Sequence, residues 1–327
     1  MAVIDVHTHM LSEGWMELLR EHGGPKYSVG VGRDGRHCVF SDGAQFLTPQ
    51  PGHFDYDLRI RDMDAAGVDI AIVSLTSPNA YFGNEDISLK AARMVNEDMA
   101  AAQTRYPDRI RWLASLPWEY PDLAVRELDR AHKAGAVGVM VIATVHDRHL
   151  TEEAFRPIWD AIDERGLPVL VHPSTPPGGG AQQLDEYLLA SSVGFMYDTT
   201  LAISRMIFDG FFERYRRLKI IASHAGGTLP YIAGRLDRIH EQLKGARVKI
   251  ERRPSEYLRE IYYDAIAYRI EALKLCIEIG GIDKVMYGSD YPHTIGDMAG
   301  VLHRVNALDA RSAKAIREDN ARRIFAL

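Results

Sequence analysis

The sequence has 327 residues, of which 46% are hydrophobic and 26% charged, with a formal net charge of -6. This composition is typical of a soluble globular protein with one large α/β domain or two smaller ones. The mild acidity, without a long basic run, argues against a nucleic-acid partner. No apolar run is long enough to cross a bilayer, so we expect no membrane partner either.

Short apolar or β-branched runs alternate with amphipathic helical patterns along the chain. The predicted strands are residues 3–6, 70–74, 110–114, 138–142, 168–171, 219–222, 261–263 and 284–287. The predicted helices are residues 56–66, 85–105, 121–134, 152–165, 199–212, 229–243, 270–279, 297–308 and 310–320. This order predicts an α/β fold, a (β/α)8 TIM barrel that forms a single domain over residues 1–327. An open doubly wound sheet with a nucleotide site would have a glycine-rich fingerprint after one of its strands, and this sequence has none there.

A long irregular segment, about residues 10–53, separates the first strand from the first barrel helix. It is rich in Gly and Pro, and residues 27–30 and 37–40 could pair as a small hairpin. In a barrel, this β1–α1 insertion would lie over the carboxyl ends of the strands. The segment could equally be a substrate lid or a decorative or oligomer-contacting insertion.

Polar residues stand at the predicted carboxyl ends of four strands. They are His7 and His9 in the first motif, His172 after the fifth strand, His224 after the sixth and Asp290 after the eighth. Alternate strand residues share a face, so His7 and His9 can point at one spot. In a barrel the strand ends converge, and we therefore expect all five side chains to meet.

Three imidazoles and a carboxylate suit one catalytic divalent metal, with His7, His9, His172 and Asp290 as ligands. Because the set contains no cysteine, the ion could be zinc, which we expect first, or manganese or cobalt. His224 is then left as a general acid or base. Asp290 could ligate the metal, orient water or accept a proton.

A second metal needs a bridging anion that the fourth strand does not supply. This strand ends in Ile142-Ala143-Thr144, without a Lys or Glu. His146 and Asp147 follow shortly afterwards and leave a weak second site open. We expect one metal.

The motifs resemble the amidohydrolase superfamily, and within it the branch that contains aminocarboxymuconate-semialdehyde decarboxylase. The resemblance covers nearly the whole chain and rests on five motifs: Ile4-Asp5-Val6-His7-Thr8-His9, Arg59-Ile60-Arg61-Asp62-Met63-Asp64-Ala65-Ala66-Gly67-Val68, Val171-His172-Pro173, Ser223-His224-Ala225-Gly226-Gly227 and Tyr287-Gly288-Ser289-Asp290-Tyr291-Pro292. It implies a (β/α)8 barrel with one divalent metal on His7, His9, His172 and Asp290. It also implies that His224 transfers the proton.

At the residues that determine the substrate, the chain matches the family at some positions and departs from it at others. The chain begins with His-x-His, as the semialdehyde decarboxylase does, whereas aromatic-acid decarboxylases of the branch often begin with Glu-x-His. The family arginine that holds a substrate carboxylate has no match in residues 48–54. A second family arginine, which reaches across a dimer interface, matches Arg235 and implies a homodimer or a higher homo-oligomer. The alternative for Arg235 is an ordinary surface position.

Four further residues are candidates for contact with a small-molecule substrate. Phe54, Phe195 and Tyr291 could form an apolar wall against a planar substrate, although aromatic residues there more often pack in the core. His293 could face the site or cap the next helix.

Two reactions fit the same metal ligands. The first is non-oxidative decarboxylation of an aromatic or muconate-like acid, with His224 or Asp290 delivering a proton to the carbon that loses CO₂. The second is hydrolysis of a lactone, amide or related bond by metal-activated water. A barrel without chemistry would be expected to have lost some of the five polar residues, and all are present.

The cysteines and the N-terminus favour a cytoplasmic protein. Cys38 and Cys276 are far apart and form no CxxC motif, so a disulfide framework is not expected. The N-terminal residues lead directly into a strand without the features of an export signal.

Overall fold

The computed structural model describes residues 2–32, 35–179, 181–184 and 186–327. Their strands, numbered in chain order, are β1 Ile4–His9, β2 Tyr27–Val31, β3 His37–Ser41, β4 Ala44–Leu47, β5 Ile70–Ser74, β6 Ile110–Ala114, β7 Gly138–Ile142, β8 Thr144–Val145, β9 Arg148–His149, β10 Pro168–His172, β11 Lys219–Ala222, β12 Tyr262–Asp264 and β13 Val285–Met286.

Eight of these strands form the predicted barrel. They lie in the order β1-β5-β6-β7-β10-β11-β12-β13, and every neighbouring pair is parallel. The Val6 N–H donates to the Tyr287 carbonyl at 3.0 Å, and the Asp290 N–H donates to the His7 carbonyl at 2.9 Å, so the first strand meets the last. Strands such as β7 are apolar without alternation because both of their faces are buried.

The helices that surround the barrel follow the predicted pattern closely. They are α1 Glu13–His22, α2 Tyr56–Ala66, α3 Glu85–Arg105, α4 Pro121–Lys133, α5 Arg156–Arg165, α6 Phe195–Phe208, α7 Phe211–Arg214, the short turn α8 Ser223–Gly226, α9 Leu229–Gln242, α10 Pro254–Leu258, α11 Ile270–Gly280, α12 Met298–Asn306, α13 Ala310–Lys314 and α14 Asn320–Phe325. Short 3-10 segments occur at Pro51–His53, Glu153–Phe155, Glu186–Leu188, Lys244–Arg247 and Ile282–Lys284, and π-helical turns at Ala190–Gly194 and Ala315–Asp319.

Some boundaries differ from the sequence prediction for identifiable reasons. β1 extends through His9, so both histidines lie in the strand rather than beyond it. The helix predicted at 199–212 starts at Phe195 and ends at Phe208, because Gly210 has φ +71° and breaks the chain before α7. The helix predicted at 310–320 divides at the π-helical turn Ala315–Asp319.

The segment at residues 10–53 is more ordered than the irregular loop that the sequence suggested. It contains α1 and a three-stranded antiparallel sheet, and its first hairpin pairs Tyr27 with Ser41 and Val31 with His37, as expected. The third strand, β4, escaped prediction because Ala44–Leu47 is short. The two ends of the segment meet where the Leu11 N–H donates to the His53 carbonyl at 2.7 Å.

The fold bears on the expectations about membrane-spanning segments and about the cysteines. None of the helices in the described part of the chain combines the length and apolar character needed to cross a bilayer. Cys38 and Cys276 are both buried, and they are not joined by a disulfide.

Candidate active site

His7 and His9 project from the end of β1 into the barrel, and both are fully buried. The Nδ1–H of His7 donates to Asp264 at 2.6 Å, and the Nδ1–H of His9 donates to the Leu75 carbonyl at 3.3 Å. Both Nε2 atoms are therefore left with a lone pair, and they lie 3.1 Å apart. Two lone pairs at this distance repel each other unless a cation or proton lies between them.

His172, at the end of β10, presents the same kind of unpaired nitrogen. Its Nδ1–H donates to the Pro173 carbonyl at 2.8 Å, which leaves the lone pair on Nε2. This Nε2 is buried and has no hydrogen-bond partner. Ser77 donates to the same Pro173 carbonyl at 2.8 Å and so helps to hold the acceptor in place.

Asp290 follows β13 and faces the histidines with both carboxylate oxygens. Its Oδ1 lies 3.2 Å from Nε2 of His9 and 3.6 Å from Nε2 of His7, while its Oδ2 lies 3.7 Å from Nε2 of His224. Asp290 has φ +60°, a left-handed conformation that is uncommon outside glycine. This turn aims the carboxylate back into the barrel.

These separations fit the ligands of one metal ion. Two nitrogen or oxygen ligands at about 2.1 Å from an ion, separated by about 90–110°, lie about 3.0–3.4 Å from each other. The distances from His7 to His9 and from His9 to Asp290 fall within that range. Ligand atoms of His7, His172, His224 and Asp290 all lie within 4.8 Å of one another, and a second such group joins His9, Asp290 and His293.

His224 lies on a strained turn that Asp264 holds. His224 and Ala225 have φ of +54° and +53°, and Gly226 and Gly227 continue in positive φ. The backbone N–H groups of His224 and Ala225 donate to the two Asp264 oxygens at 2.8 and 2.9 Å. Because Asp264 also accepts from His7, one carboxylate positions both a candidate ligand and the candidate proton-transfer residue.

The buried electrostatics keep most of the candidate ligands ready to bind a cation. Burial lowers the pKa of His9 to about 3 and holds the pKa of His172 well below its usual value, so both remain neutral near pH 7. Burial also opposes a charge on His7, but the hydrogen bond to Asp264 and the negative charges of Asp264, Asp290 and Asp5 together raise its pKa. Burial opposes ionisation of Asp290, yet the neighbouring histidines keep its pKa well below the usual range.

The cluster forms the floor of a cavity of about 1080 Å³, large for a small-molecule site. His172, His224 and Asp290 contribute to its lining. Most of the remaining lining is apolar and comes from the insertion, the start of α6, and the loops after β12 and β13. It includes Phe46, Leu47, Met196, Ile266 and Ile295.

The structure separates the predicted substrate-binding residues into two groups. Phe195 and His293 line the cavity, and His293 Nε2 lies 3.2 Å from Thr76 Oγ1. Phe54, Tyr291 and Arg235 are not among the described lining residues. Tyr291 instead donates to Asp62 at 2.6 Å.

Three residues that support the site were missed by the sequence reasoning. Asp264 is the last residue of β12, where the strand-end rule used for the other strands would have found it. Arg59 is fully buried, donates to Thr8 and the His9 carbonyl, and lies 4.7 Å from the Tyr291 ring. His53 accepts the Gln50 N–H at 2.9 Å and lies 5.0 Å from the His293 ring. No spacing signal marks Arg59 or His53.

A sequence profile of the amidohydrolase family matches residues 4–327. The chain belongs to the amidohydrolase family. The family membership and the eight-stranded barrel agree with the resemblance drawn from the motifs.

Similar proteins are named as decarboxylases. The chain is 29% identical over 303 residues to a 2-amino-3-carboxymuconate-6-semialdehyde decarboxylase of Dictyostelium discoideum, covering 90% of this chain and 83% of the relative. It is 28% identical over 284 residues to a gamma-resorcylate decarboxylase of a Polaromonas species, covering 83% and 87%. A 5-carboxyvanillate decarboxylase of Novosphingobium aromaticivorans, solved with manganese and 4-hydroxy-3-methoxy-5-nitrobenzoic acid, superposes with a TM-score of 0.84 at 26% identity, covering 100% and 96%.

Proposed function

We propose that this protein is a metal-dependent non-oxidative decarboxylase of an aromatic or muconate-like carboxylic acid. The observation that carries the proposal is the convergence of ligand atoms from His7, His9, His172 and Asp290 beneath a largely apolar cavity. Two of these atoms, His172 Nε2 and Asp290 Oδ1, have no hydrogen-bond partner. The decarboxylases to which the chain is similar act, by their names, on acids of this kind.

In this proposal His7, His9, His172 and Asp290 hold one divalent ion. Zinc, manganese and cobalt all suit three imidazoles and a carboxylate. Manganese is the first ion to test because the related carboxyvanillate decarboxylase structure contains it. A bound ion would hold the substrate oxygens and stabilise developing negative charge as a Lewis acid.

The protein groups then have to move one proton. Decarboxylation breaks the bond between the ring or chain carbon and CO₂, and a proton must replace the lost group on that carbon. His224 is on the cavity wall with Nε2 3.7 Å from Asp290 Oδ2, so we assign proton transfer to this pair. In this proposal Asp290 has two roles. Its Oδ1, which faces His7 and His9, ligates the metal, and its Oδ2, which faces His224, takes part in proton transfer.

The cavity wall supplies the remaining substrate contacts in this proposal. Phe195 packs with Phe46 at 6.1 Å between ring centroids and with His172 at 6.4 Å, which makes it the candidate surface for a planar substrate. His293 would contact a polar substituent. Phe54 and Tyr291 would act from behind the lining by holding the residues around it.

The deciding experiment monitors CO₂ separately from acid release. The manganese-loaded protein is incubated with aromatic carboxylic acids and, in parallel, with lactones and amides. CO₂ release from an acid supports the decarboxylase, whereas acid production from a lactone or amide without CO₂ release from any acid would favour the hydrolase alternative. The names of the relatives described above favour the first outcome.

We also propose a cytoplasmic homodimer in which Arg235 serves the site of the partner subunit. Arg235 is exposed on α9 and lies outside the described lining of its own cavity, while Tyr231, one turn earlier, is at the cavity. Mixing His224→Asn with Arg235→Leu protein after subunit exchange should restore part of the activity, because one site of each mixed dimer is intact. No restoration would contradict the shared site.

A further inference from the structure

A buried carboxylate near the floor, that of Asp198 on α6, has no part in the chemistry proposed above. The residue is 1% exposed and is not among the described residues that line the cavity. Its Oδ1 accepts from the Thr144 hydroxyl at 2.8 Å, and its Oδ2 accepts from the Ser174 backbone N–H at 2.9 Å. Asp198 therefore ties α6 to the chain that follows β7 and to the chain that follows β10.

The Ser174 N–H and the Pro173 carbonyl belong to the same peptide group. That carbonyl accepts from the His172 Nδ1–H and from the Ser77 hydroxyl, both at 2.8 Å. A single peptide thus has the Asp198 carboxylate at its N–H end and the imidazole of a candidate metal ligand at its carbonyl end. These three hydrogen bonds fix the position of the peptide, and with it the direction of the His172 ring.

A negative charge at the N–H end of a peptide makes its carbonyl oxygen a stronger acceptor, because hydrogen bonds in a chain polarise one another. A stronger acceptor on Nδ1–H in turn raises the basicity of the other ring nitrogen. In His172 this other nitrogen is Nε2, which is buried at the floor without a hydrogen-bond partner. Asp264 contacts the His7 imidazole directly at 2.6 Å, whereas Asp198 reaches His172 through one peptide.

The charge of Asp198 is unfavourable for folding, which distinguishes it from a purely structural contact. Burial raises the pKa of Asp198 to about 6, so the carboxylate is ionised at pH 8 even though the interior disfavours the charge. An asparagine of nearly the same size could also accept the Ser174 N–H and hydrogen-bond to Thr144 without this charge. The hydrogen bonds alone therefore do not require an aspartate at this position.

We infer that Asp198 is a positioning residue that strengthens His172 as a metal ligand through the Pro173–Ser174 peptide. The inference rests on the proposed function, which includes His172 among the ligands of one divalent ion. Asp198 touches neither the ion nor the substrate in this assignment. Its charge acts on the affinity for the metal, at the expense of some stability of the fold.

Metal affinity and stability, measured on the same variants at pH 8, test the inference. Competition with a chelator gives the affinity for Mn²⁺, and denaturant unfolding of the metal-free protein gives the stability. Asp198→Asn should bind Mn²⁺ about five- to tenfold more weakly, at or below the low end of the effect of a direct ligand partner. The same variant should be at least as stable as wild type, because the buried charge is gone. Asp198→Ala also loses the acceptor for the Ser174 N–H, so its affinity should be lower still.

Glu127→Gln is the matched control. Glu127 is a buried carboxylate on α4 that accepts from Asn96 and Arg130 and lies outside the described cavity lining. Its substitution should lower stability, because Arg130 loses its ionic partner, and should leave the affinity for Mn²⁺ within about twofold. The two variants are thus expected to change affinity and stability in opposite patterns, which a merely structural role of Asp198 would not produce.

Two results with the variants overturn the inference alone: wild-type affinity for Mn²⁺ in Asp198→Asn, or a weaker affinity that is accompanied by a loss of stability in that variant. In both cases the metal site of the proposed function stands, since the wild-type protein binds the ion. Wild-type protein that binds none of Mn²⁺, Zn²⁺ and Co²⁺ would refute the proposed metal site, and the role of Asp198 with it.

Discussion

The floor of the cavity and the insertion above it differ in how their residues are held. At the floor, His7, His9 and His172 are at most 2% exposed, and each Nδ1–H is directed at a fixed acceptor. At the rim of the cavity, Arg36 is exposed and Phe46 is half-buried, and both lie on or beside the three-stranded sheet outside the barrel. On the proposed function, the barrel would position the metal and the proton, whereas the insertion would select which acid reaches them.

The largest expected effect is from removal of a floor histidine. His7→Ala should lose the metal and reduce CO₂ release to background, because Nε2 of His7 lies at the centre of the ligand set. His37→Ala, which removes an exposed histidine of the insertion, should keep both. Elemental analysis measures the metal, and full metal content in His7→Ala protein would contradict the assignment.

His224→Asn separates metal binding from proton transfer within the floor. The variant should keep its metal and lose about 10²–10⁴-fold in kcat, the usual contribution of a general acid or base. Steady-state kinetics of CO₂ release and elemental analysis of the same preparation give both quantities. An unchanged kcat would remove His224 from the proton-transfer step.

Asp264→Asn tests whether the floor depends on its buried support. The substitution removes the negative charge that accepts the His7 Nδ1–H and the two backbone N–H groups of the His224 turn. We expect metal affinity or kcat to fall by about 10–100-fold. Competition with a chelator measures the affinity, and wild-type values for both quantities would show that Asp264 only fills space.

Phe46→Ala tests the insertion side of the comparison. Phe46 lines the cavity and packs against Phe195, and such ring pairs contribute about 0.5–1.5 kcal/mol. We expect KM to rise several-fold while metal content and kcat remain near wild type. Val31→Ala, at an exposed position of the same small sheet, should change none of them. A fall in metal content in Phe46→Ala would mean that the insertion and the floor are not separable.

The smallest effect on turnover is expected from Asp198, which is buried beside the floor and accepts hydrogen bonds from Thr144 and the Ser174 N–H. Burial raises the pKa of Asp198 to about 6, although the hydrogen bonds from Ser174 and Thr144 act to lower it. The folded state therefore binds this proton more tightly than the unfolded state, and the associated stability is present below about pH 4 and lost as pH rises through about 6.

Asp198→Asn removes that titration. The free energy of unfolding of the wild-type protein should fall by about 3 kcal/mol relative to Asp198→Asn between about pH 4 and pH 7. Denaturant unfolding at several pH values measures the difference. A constant difference across this range would show that Asp198 is ionised or protonated alike in both states.

The sequence predicted the floor better than the rim. Strand ends in a barrel converge whatever the intervening chain does, so His172, His224 and Asp290 could be placed together from their positions alone. Asp264 follows the same rule and was overlooked. Arg36 gave no such signal, because its position over the cavity depends on hairpin register, on its contact with Gln50 and on Gln50 contacting Thr294. The local hydrophobic periodicity of the sequence does not predict long-range contacts of this kind.

The contact between Leu11 and His53 has a consequence for how the protein could be altered. Since the insertion leaves and rejoins the barrel at a single hydrogen-bonded point, changes in its length cost the rest of the chain little closure entropy. The segment between these residues also contacts the barrel, because Trp15 donates to the Asn79 carbonyl at 3.0 Å and Gln50 donates to Thr294 at 3.2 Å. Exchanging this segment for the corresponding segment of another family member, with these contacts retained, is a way to change acid selectivity in the proposed function while the barrel residues stay the same.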